Sequence, residues 1–107
     1  MNSLSTHILD VSTGQPAQGV TVFLACGEQV LAQGVTDNNG RISQFAAPLT
    51  PGRWRLVAQT GDWFVQQGRE TFYTCAQIDF LVGETAVEHF HLPFLIAPGG
   101  WSTYRGC

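Results

Sequence analysis

Val20-Thr21-Val22-Phe23-Leu24-Ala25-Cys26 sets Val20, Val22, Leu24 and Cys26 against Thr21, Phe23 and Ala25 in strict alternation. A period of two is the mark of a β-strand with one face turned to a core. The same period returns further along. Trp54, Leu56 and Ala58 alternate with Arg53, Arg55 and Val57, and Ile78, Phe80 and Val82 alternate with Gln77, Asp79 and Leu81. From Val87 to Ile96, Phe90, Leu92, Phe94 and Ile96 face one way, while His89, His91 and Leu95 face the other. The apolar set belongs to the core, which turns His91 outward. Near the start, placing Ile8 inward turns His7 outward. At the far end Ser102 and Tyr104 share one face and Trp101, Thr103 and Arg105 the other.

Between the strands lie Thr13-Gly14-Gln15-Pro16, Asp37-Asn38-Asn39-Gly40, Thr50-Pro51-Gly52 and Pro98-Gly99-Gly100, all turn-forming sequences. Asn39-Gly40 tolerates positive φ and predicts a hairpin. Short strands at intervals of roughly 8–12 residues predict an antiparallel sandwich. One segment departs from this pattern. Thr60 to Gly68 predicts a short helix, with Thr60 as its N-cap and Gly68 as its left-handed stop.

The 107 residues suit one domain spanning 1–107. Hydrophobic residues form 44% of the chain and charged residues 12%, which excludes a disordered polypeptide. Lysine is absent. The five cations are all arginines, set against eight carboxylates for a net charge of −3. That balance argues against nucleic acid or an anionic membrane as the main partner. The opening residues lack the charged start and apolar run of a signal peptide, and the longest apolar stretch, Leu92 to Ala97, is far short of a membrane span. Cys26, Cys75 and Cys107 form an odd set without paired spacing, so no disulfide framework is expected and a cytoplasmic setting fits. Cys26 reads as a small core residue. Trp54, Trp63 and Trp101 read as core or interface residues. An outward face bearing histidines, Ser102, Tyr104 and Leu95 is unlike a plain solvent face. It suits a cleft completed by another subunit.

Ser102-Thr103-Tyr104-Arg105-Gly106-Cys107 closely resembles the Y-R-G-S ending of the 5-hydroxyisourate hydrolases. His89-Phe90-His91-Leu92-Pro93, with Leu95, Pro98 and Gly100, is similar to that family's run into its last strands. Leu4-Ser5-Thr6-His7-Ile8-Leu9-Asp10, followed by Gly14, Pro16 and Gly19-Val20, is similar to its opening strand. Asn39-Gly40-Arg41 and Gly68-Arg69-Glu70 match two internal signatures, so the likeness spans nearly the whole chain. The resemblance implies a transthyretin-like sandwich of two four-stranded antiparallel sheets with one short helix. It further implies a homotetramer with active sites in the channel between dimers. The implied reaction is hydrolytic opening of 5-hydroxyisourate in urate breakdown, giving a ureidoimidazoline product.

His7, Arg41 and His91 are then the expected catalytic set. Imidazole titrates near neutrality, so it can take a proton from water and return one to a leaving nitrogen. Taken alone, either histidine would more often be structural or merely solvated. His7 is slightly favoured as the base. Arg41, otherwise an ordinary exposed turn cation, would stabilise oxygen anions. Tyr104, Arg105, Gly106 and Cys107 would bind substrate, with the forked guanidinium of Arg105 suited to a flat purine-derived ring. Cys107 departs from the family's serine and replaces a hydroxyl by a poorer donor. A Cys–His nucleophile is the rival chemistry it raises. His89 and His91 have zinc-gripping spacing, but no third ligand accompanies them, and no metal or cofactor is expected. A non-catalytic carrier of a small aromatic ligand, or a structural sandwich module, is the contrasting class. Neither gives a reason to combine His7, Arg41, His91 and Arg105. Arg69-Glu70 reads as an anchor for the helix.

Overall fold

The strand that organises the molecule is the first one. In the computed structural model, which describes residues 2–84 and 88–106, β1 runs Ser3–Asp10 with Leu4, Thr6, Ile8 and Asp10 buried and His7 at the surface. Val87, where the histidine-bearing run begins, and Cys107 lie outside the described residues. Leu4 and Ile8 join Val20, Val22, Leu24, Leu56, Phe94 and Ile96 in the core between two sheets. Each fully buried aliphatic or aromatic side chain contributes about 1.5–3 kcal/mol relative to its exposed state.

One sheet is four-stranded and antiparallel. It comprises β3 (Thr21–Cys26), β4 (Gln29–Val35), β6 (Gly52–Ala58) and β7 (Ala76–Val82), in the order β4-β3-β6-β7. Its alternation is as the sequence reads, except near Cys26. A bulge opposite Leu24 and Ala25 buries Ala25 and leaves Cys26 half-buried at the edge of the core. Trp54 and Trp63 are core residues whose indole N–H groups donate to the Thr50 and Gln18 carbonyls.

The second sheet differs from the expected four antiparallel strands. It is built from six: the long β1 and the short β2 (Gln15–Pro16), β5 (Arg41–Ile42), β8 (His89–His91), β9 (Phe94–Ala97) and β10 (Gly100–Thr103). β1 pairs antiparallel with β5 and β2 on one side and parallel with β8 and then β9 on the other. The division of β8 from β9 follows from Pro93, which has no N–H to give the ladder. Carbonyls at this break are satisfied by hydroxyls: Thr6 donates to Leu92 and Thr103 donates to Pro93.

The turn Asp37–Gly40 does not close a hairpin. It carries the chain from β4 in one sheet to β5 in the other, because β5 pairs with β1. Gly40 has φ +73°, and a side chain there would begin 2.5 Å from the Ile8 carbonyl oxygen, so only glycine fits beneath β1.

Helix α1 (Thr60–Gln66) forms where expected, but Gln59, not Thr60, precedes it, and no side chain caps it. Thr60 is buried inside the first turn, and the Gly61 N–H donates to the Thr74 carbonyl, so the neighbouring loop does the capping. At the other end Gly68 is left-handed at φ +71°. Gly68 N–H donates to Val65 and Arg69 N–H to Phe64, a Schellman stop. Arg69 then spans back to β1. Its guanidinium lies 2.6 Å from the buried Asp10 carboxylate and 2.6 Å from the Ser12 hydroxyl, and stacks over Phe64. Burial raises the Asp10 carboxyl. Hydrogen bonds from Ser12 and Arg69 outweigh that and hold it below the usual carboxylate range.

Candidate active site

Register decides what β1 shows to the outside. His7 lies directly opposite Arg41 in the β1–β5 pair, and Ser5 lies opposite His91 in the β1–β8 pair. Residues two apart on a strand share a face, so Ser3, Ser5 and His7 line up and the two neighbouring strands add Arg41, His89 and His91. Cross-strand partners sit about 4.5–5.5 Å apart at Cβ, which makes this one surface. The sequence-expected trio is therefore assembled.

His91 is half-buried, as His7 is, while His89 is exposed. Its Nδ1 is 2.8 Å from the Ser5 hydroxyl oxygen, which is also 2.9 Å from Nε2 of His89. Nδ1 of His89 is in turn 2.6 Å from the Ser3 hydroxyl. One nitrogen of each imidazole thus meets at the Ser5 hydroxyl. Among the described residues no group of three histidine, cysteine or acidic side chains converges. Partial burial pushes the His91 pKa below its ordinary value, and the charge of Arg41, with smaller effects from His7 and His89, pushes it the same way. His91 is thereby kept neutral near pH 7, with a lone pair available.

Arg41 is placed by its turn. The Asp37 carboxylate accepts the backbone N–H groups of Asn39 and Arg41, which holds the Asp37 carboxyl low and fixes the start of β5. Among the described residues no carboxylate lies within 4 Å of the Arg41 guanidinium.

The chain end returns to the same place. Gly106 N–H donates to the His91 carbonyl at 2.8 Å, and a side chain at Gly106 would begin 2.5 Å from Cδ2 of the His91 ring. Glycine is what lets the tail lie against the imidazole. Arg105 takes a different direction: it lies 3.3 Å from Glu88 and over the Phe90 ring, engaged there and not by the histidines. Tyr104 is exposed and, among the described residues, makes no side-chain hydrogen bond. The expectation for Cys107 lies outside the described residues. Ser3, Ser5 and the linking role of His89 were not anticipated. The alternation that turned His7 outward also turned Ser3 and Ser5 outward, and that was the available signal.

The face is open. A concavity of about 500 Å³ exists elsewhere, on the four-stranded sheet beside Arg53, Arg55 and Asp79, and contains no histidine. It offers one carboxylate, Asp79, beside two arginines, whereas the histidine face carries the imidazoles.

Residues 4–106 match the profile of the HIUase/Transthyretin family. A 5-hydroxyisourate hydrolase of Salmonella dublin is 40% identical over 111 residues, covering 98% of this chain and 81% of its own. The solved structure of Klebsiella pneumoniae 5-hydroxyisourate hydrolase is 61% identical with a TM-score of 0.91, covering 98% of this chain and 99% of its own. Sea bream transthyretin, solved in complex with thyroxine, is 26% identical with a TM-score of 0.89, covering 96% of this chain and 93% of its own.

Proposed function

The chain belongs to the HIUase/Transthyretin family, and from that premise we propose that it is a hydrolase opening the ring of 5-hydroxyisourate in urate breakdown. The observation that carries this reading is the register that sets His7 across from Arg41 while Ser5 holds His91 alongside. Hydrolysis of a cyclic amide needs water deprotonated as it attacks, the carbonyl oxygen stabilised as it becomes an anion, and the leaving nitrogen protonated. His91, kept neutral by burial and by Arg41, suits the first task better than the sequence-favoured His7. Arg41 suits the second. His7, facing Arg41, positions water or supplies the final proton. The water oxygen bonds to the acyl carbon, the carbon–nitrogen bond breaks, and the proton taken from water ends on nitrogen. The balance needs no metal, cofactor or cysteine nucleophile.

Substrate contacts fall to Tyr104, Arg105, Gly106 and Cys107, with Arg105 leaving Glu88 to reach the ring. In this reading the histidine face is completed by a homotetramer of single-domain subunits, with the sites between dimers. A cytoplasmic setting is part of this reading; among the described residues Cys26 and Cys75 are free thiols, and no helix is long and apolar enough to cross a membrane.

The test follows the ultraviolet decay of freshly made 5-hydroxyisourate. Decay well above the spontaneous rate is expected, reduced by about 10²–10⁴-fold in His7→Ala and His91→Ala. A loss below about tenfold in both would remove the assignment. Saturable ligand binding without turnover would favour the carrier class instead.

A further inference from the structure

Two serines and a second histidine lie behind His91 in an unbroken series, and the hydrolase reading assigns them nothing. The distances run Ser3 Oγ to His89 Nδ1, 2.6 Å; His89 Nε2 to Ser5 Oγ, 2.9 Å; and Ser5 Oγ to His91 Nδ1, 2.8 Å. Every one is within hydrogen-bond range. Resting on the hydrolase reading, we propose that Ser3, His89 and Ser5 form a proton-relay chain that sets and resets the tautomer of His91.

The inventory of donors restricts the arrangement sharply. A neutral imidazole has one N–H and one acceptor nitrogen, and a hydroxyl has a single hydrogen to donate. An unbroken neutral chain therefore has two states. In one, Ser3 donates to His89 Nδ1, His89 Nε2–H donates to Ser5, and Ser5 donates to His91 Nδ1. His91 then carries its proton on Nε2. In the other every bond is reversed, and His91 presents a bare Nε2. One direction makes His91 an acid toward the site and the other makes it a base.

Shifting every hydrogen one place converts the two states without creating a charge. When Nε2 of His91 takes a proton from the attacking water, its Nδ1 proton passes to Ser5. The Ser5 proton passes to His89 Nε2, the His89 Nδ1 proton to Ser3, and the Ser3 proton to solvent. The reverse shift returns a proton to the leaving nitrogen. Each O–H or N–H bond broken is matched by one formed. The benefit is electrostatic. An ordinary base would become an imidazolium facing Arg41 from β5, His7 from β1 and His89 on its own strand, and those groups disfavour a second positive charge. The relay carries the charge to the exposed Ser3 end. Ser5, 9% exposed, lies within hydrogen-bond distance of both rings and is shielded from water that would short-circuit the chain.

Ser5 and His89 are on this account positioning residues for His91, and the experiment separates that role from a structural one. In the tetrameric or whole wild-type protein, ¹⁵N chemical shifts of the imidazoles should show His89 and His91 in matching tautomers, both Nδ1–H or both Nε2–H. Opposite tautomers would overturn the relay, and this reading needs no variant to fold. For turnover, Ser5→Ala and His89→Phe should each lower kcat by about tenfold to a hundredfold, less than loss of the base itself, with KM little changed. Ser5→Thr, which keeps the hydroxyl, should recover most of it. A proton inventory in mixed light and heavy water should be curved for wild type and linear for Ser5→Ala. Linear inventories in both, or undiminished kcat in Ser5→Ala and His89→Phe while His91→Ala is inactive, would sink the relay and leave the hydrolase reading intact. Undiminished activity in His91→Ala would instead remove the hydrolase site itself.

Discussion

Replacing Gly106 by alanine should separate site geometry from fold stability. The added Cβ would start 2.5 Å from Cδ2 of His91 and 3.1 Å from both its Cγ and its carbonyl oxygen. Ordinary carbon contacts begin at 3.4 Å, so ring or tail must withdraw by about 0.9 Å. If the ring moves, its 2.8 Å contact with Ser5 is strained; if the tail moves, the Gly106 N–H loses the His91 carbonyl. Misplacement of a reacting group by about 1 Å can lower a rate by about 10²-fold. The stability at stake is one peripheral hydrogen bond, about 0.5–1.5 kcal/mol. Hydrolysis of 5-hydroxyisourate should therefore fall by about two orders of magnitude while thermal unfolding shifts by a few degrees. Gly99→Ala, with nothing within 4 Å of the new atom, is the matched control and should stay near wild type. Near-normal turnover in Gly106→Ala would refute the claim that the tail packs on a working imidazole. So would a loss matched by a collapse in unfolding temperature.

Arg41→Gln removes a positive charge that makes His91 harder to protonate. The acid limb of the pH–rate profile should therefore move to higher pH, whereas Arg41→Lys should leave it nearly in place; identical limbs in all three proteins would contradict the electrostatic coupling. Arg69→Ala leaves the buried Asp10 carboxylate with the Ser12 donors alone and should lower stability at neutral pH by about 1–3 kcal/mol. Because the folded carboxyl titrates below its unfolded value of 3.8, that contribution is present above 3.8 and fades as pH falls through the folded value. Urea titrations at neutral and acid pH should show the gap narrowing on the acid side. Gly61→Ala puts a Cβ 2.6 Å from the Thr74 carbonyl and should cost about 1–3 kcal/mol in stability, with kcat of the folded enzyme unaltered.

The sequence was most legible where alternation and burial coincide. Trp54, Leu56 and Ala58 are inside, and Phe90, Leu92, Phe94 and Ile96 form one buried row opposite His89 and His91. Periodicity reports which face a residue takes but not which strand lies beside it or in which direction. That is why the parallel pairing of β1 with β8 and β9 was not legible, nor the use of Asp37–Gly40 as a crossing between sheets. The helix stop was readable because left-handed glycine is a local requirement. Its start was not, because the Thr74 carbonyl that caps Gly61 comes from a loop. His7, Arg41 and His91 were nominated from their chemistry and the resemblance, and the register sets them on neighbouring strands. Ser3 and Ser5 escaped notice because an outward serine on a strand carries no signal until its cross-strand partners are known.

Those partners follow from β1, which aims the site and fills the core with alternate residues. Sliding β1 by one position would bury His7 and expose Ile8, so the register that seals the core also sets His7 against Arg41. Thr6 on the Leu92 carbonyl, Ile8 N–H on Gly40 and Asp10 on Arg69 pin that register at three depths along the strand. The Gly40 contact is the most consequential of these. It lets the turn tuck under β1 closely enough for the two-residue β5 to pair, and β5 carries Arg41. A larger residue at 40 would meet the Ile8 carbonyl and lift β5 from its partner, displacing the Arg41 charge before the core itself was breached. Activity should thus be lost ahead of folding when this corner is disturbed, because a strand of two residues rests on few contacts besides its bonds to Asp37 and the packing of Ile42.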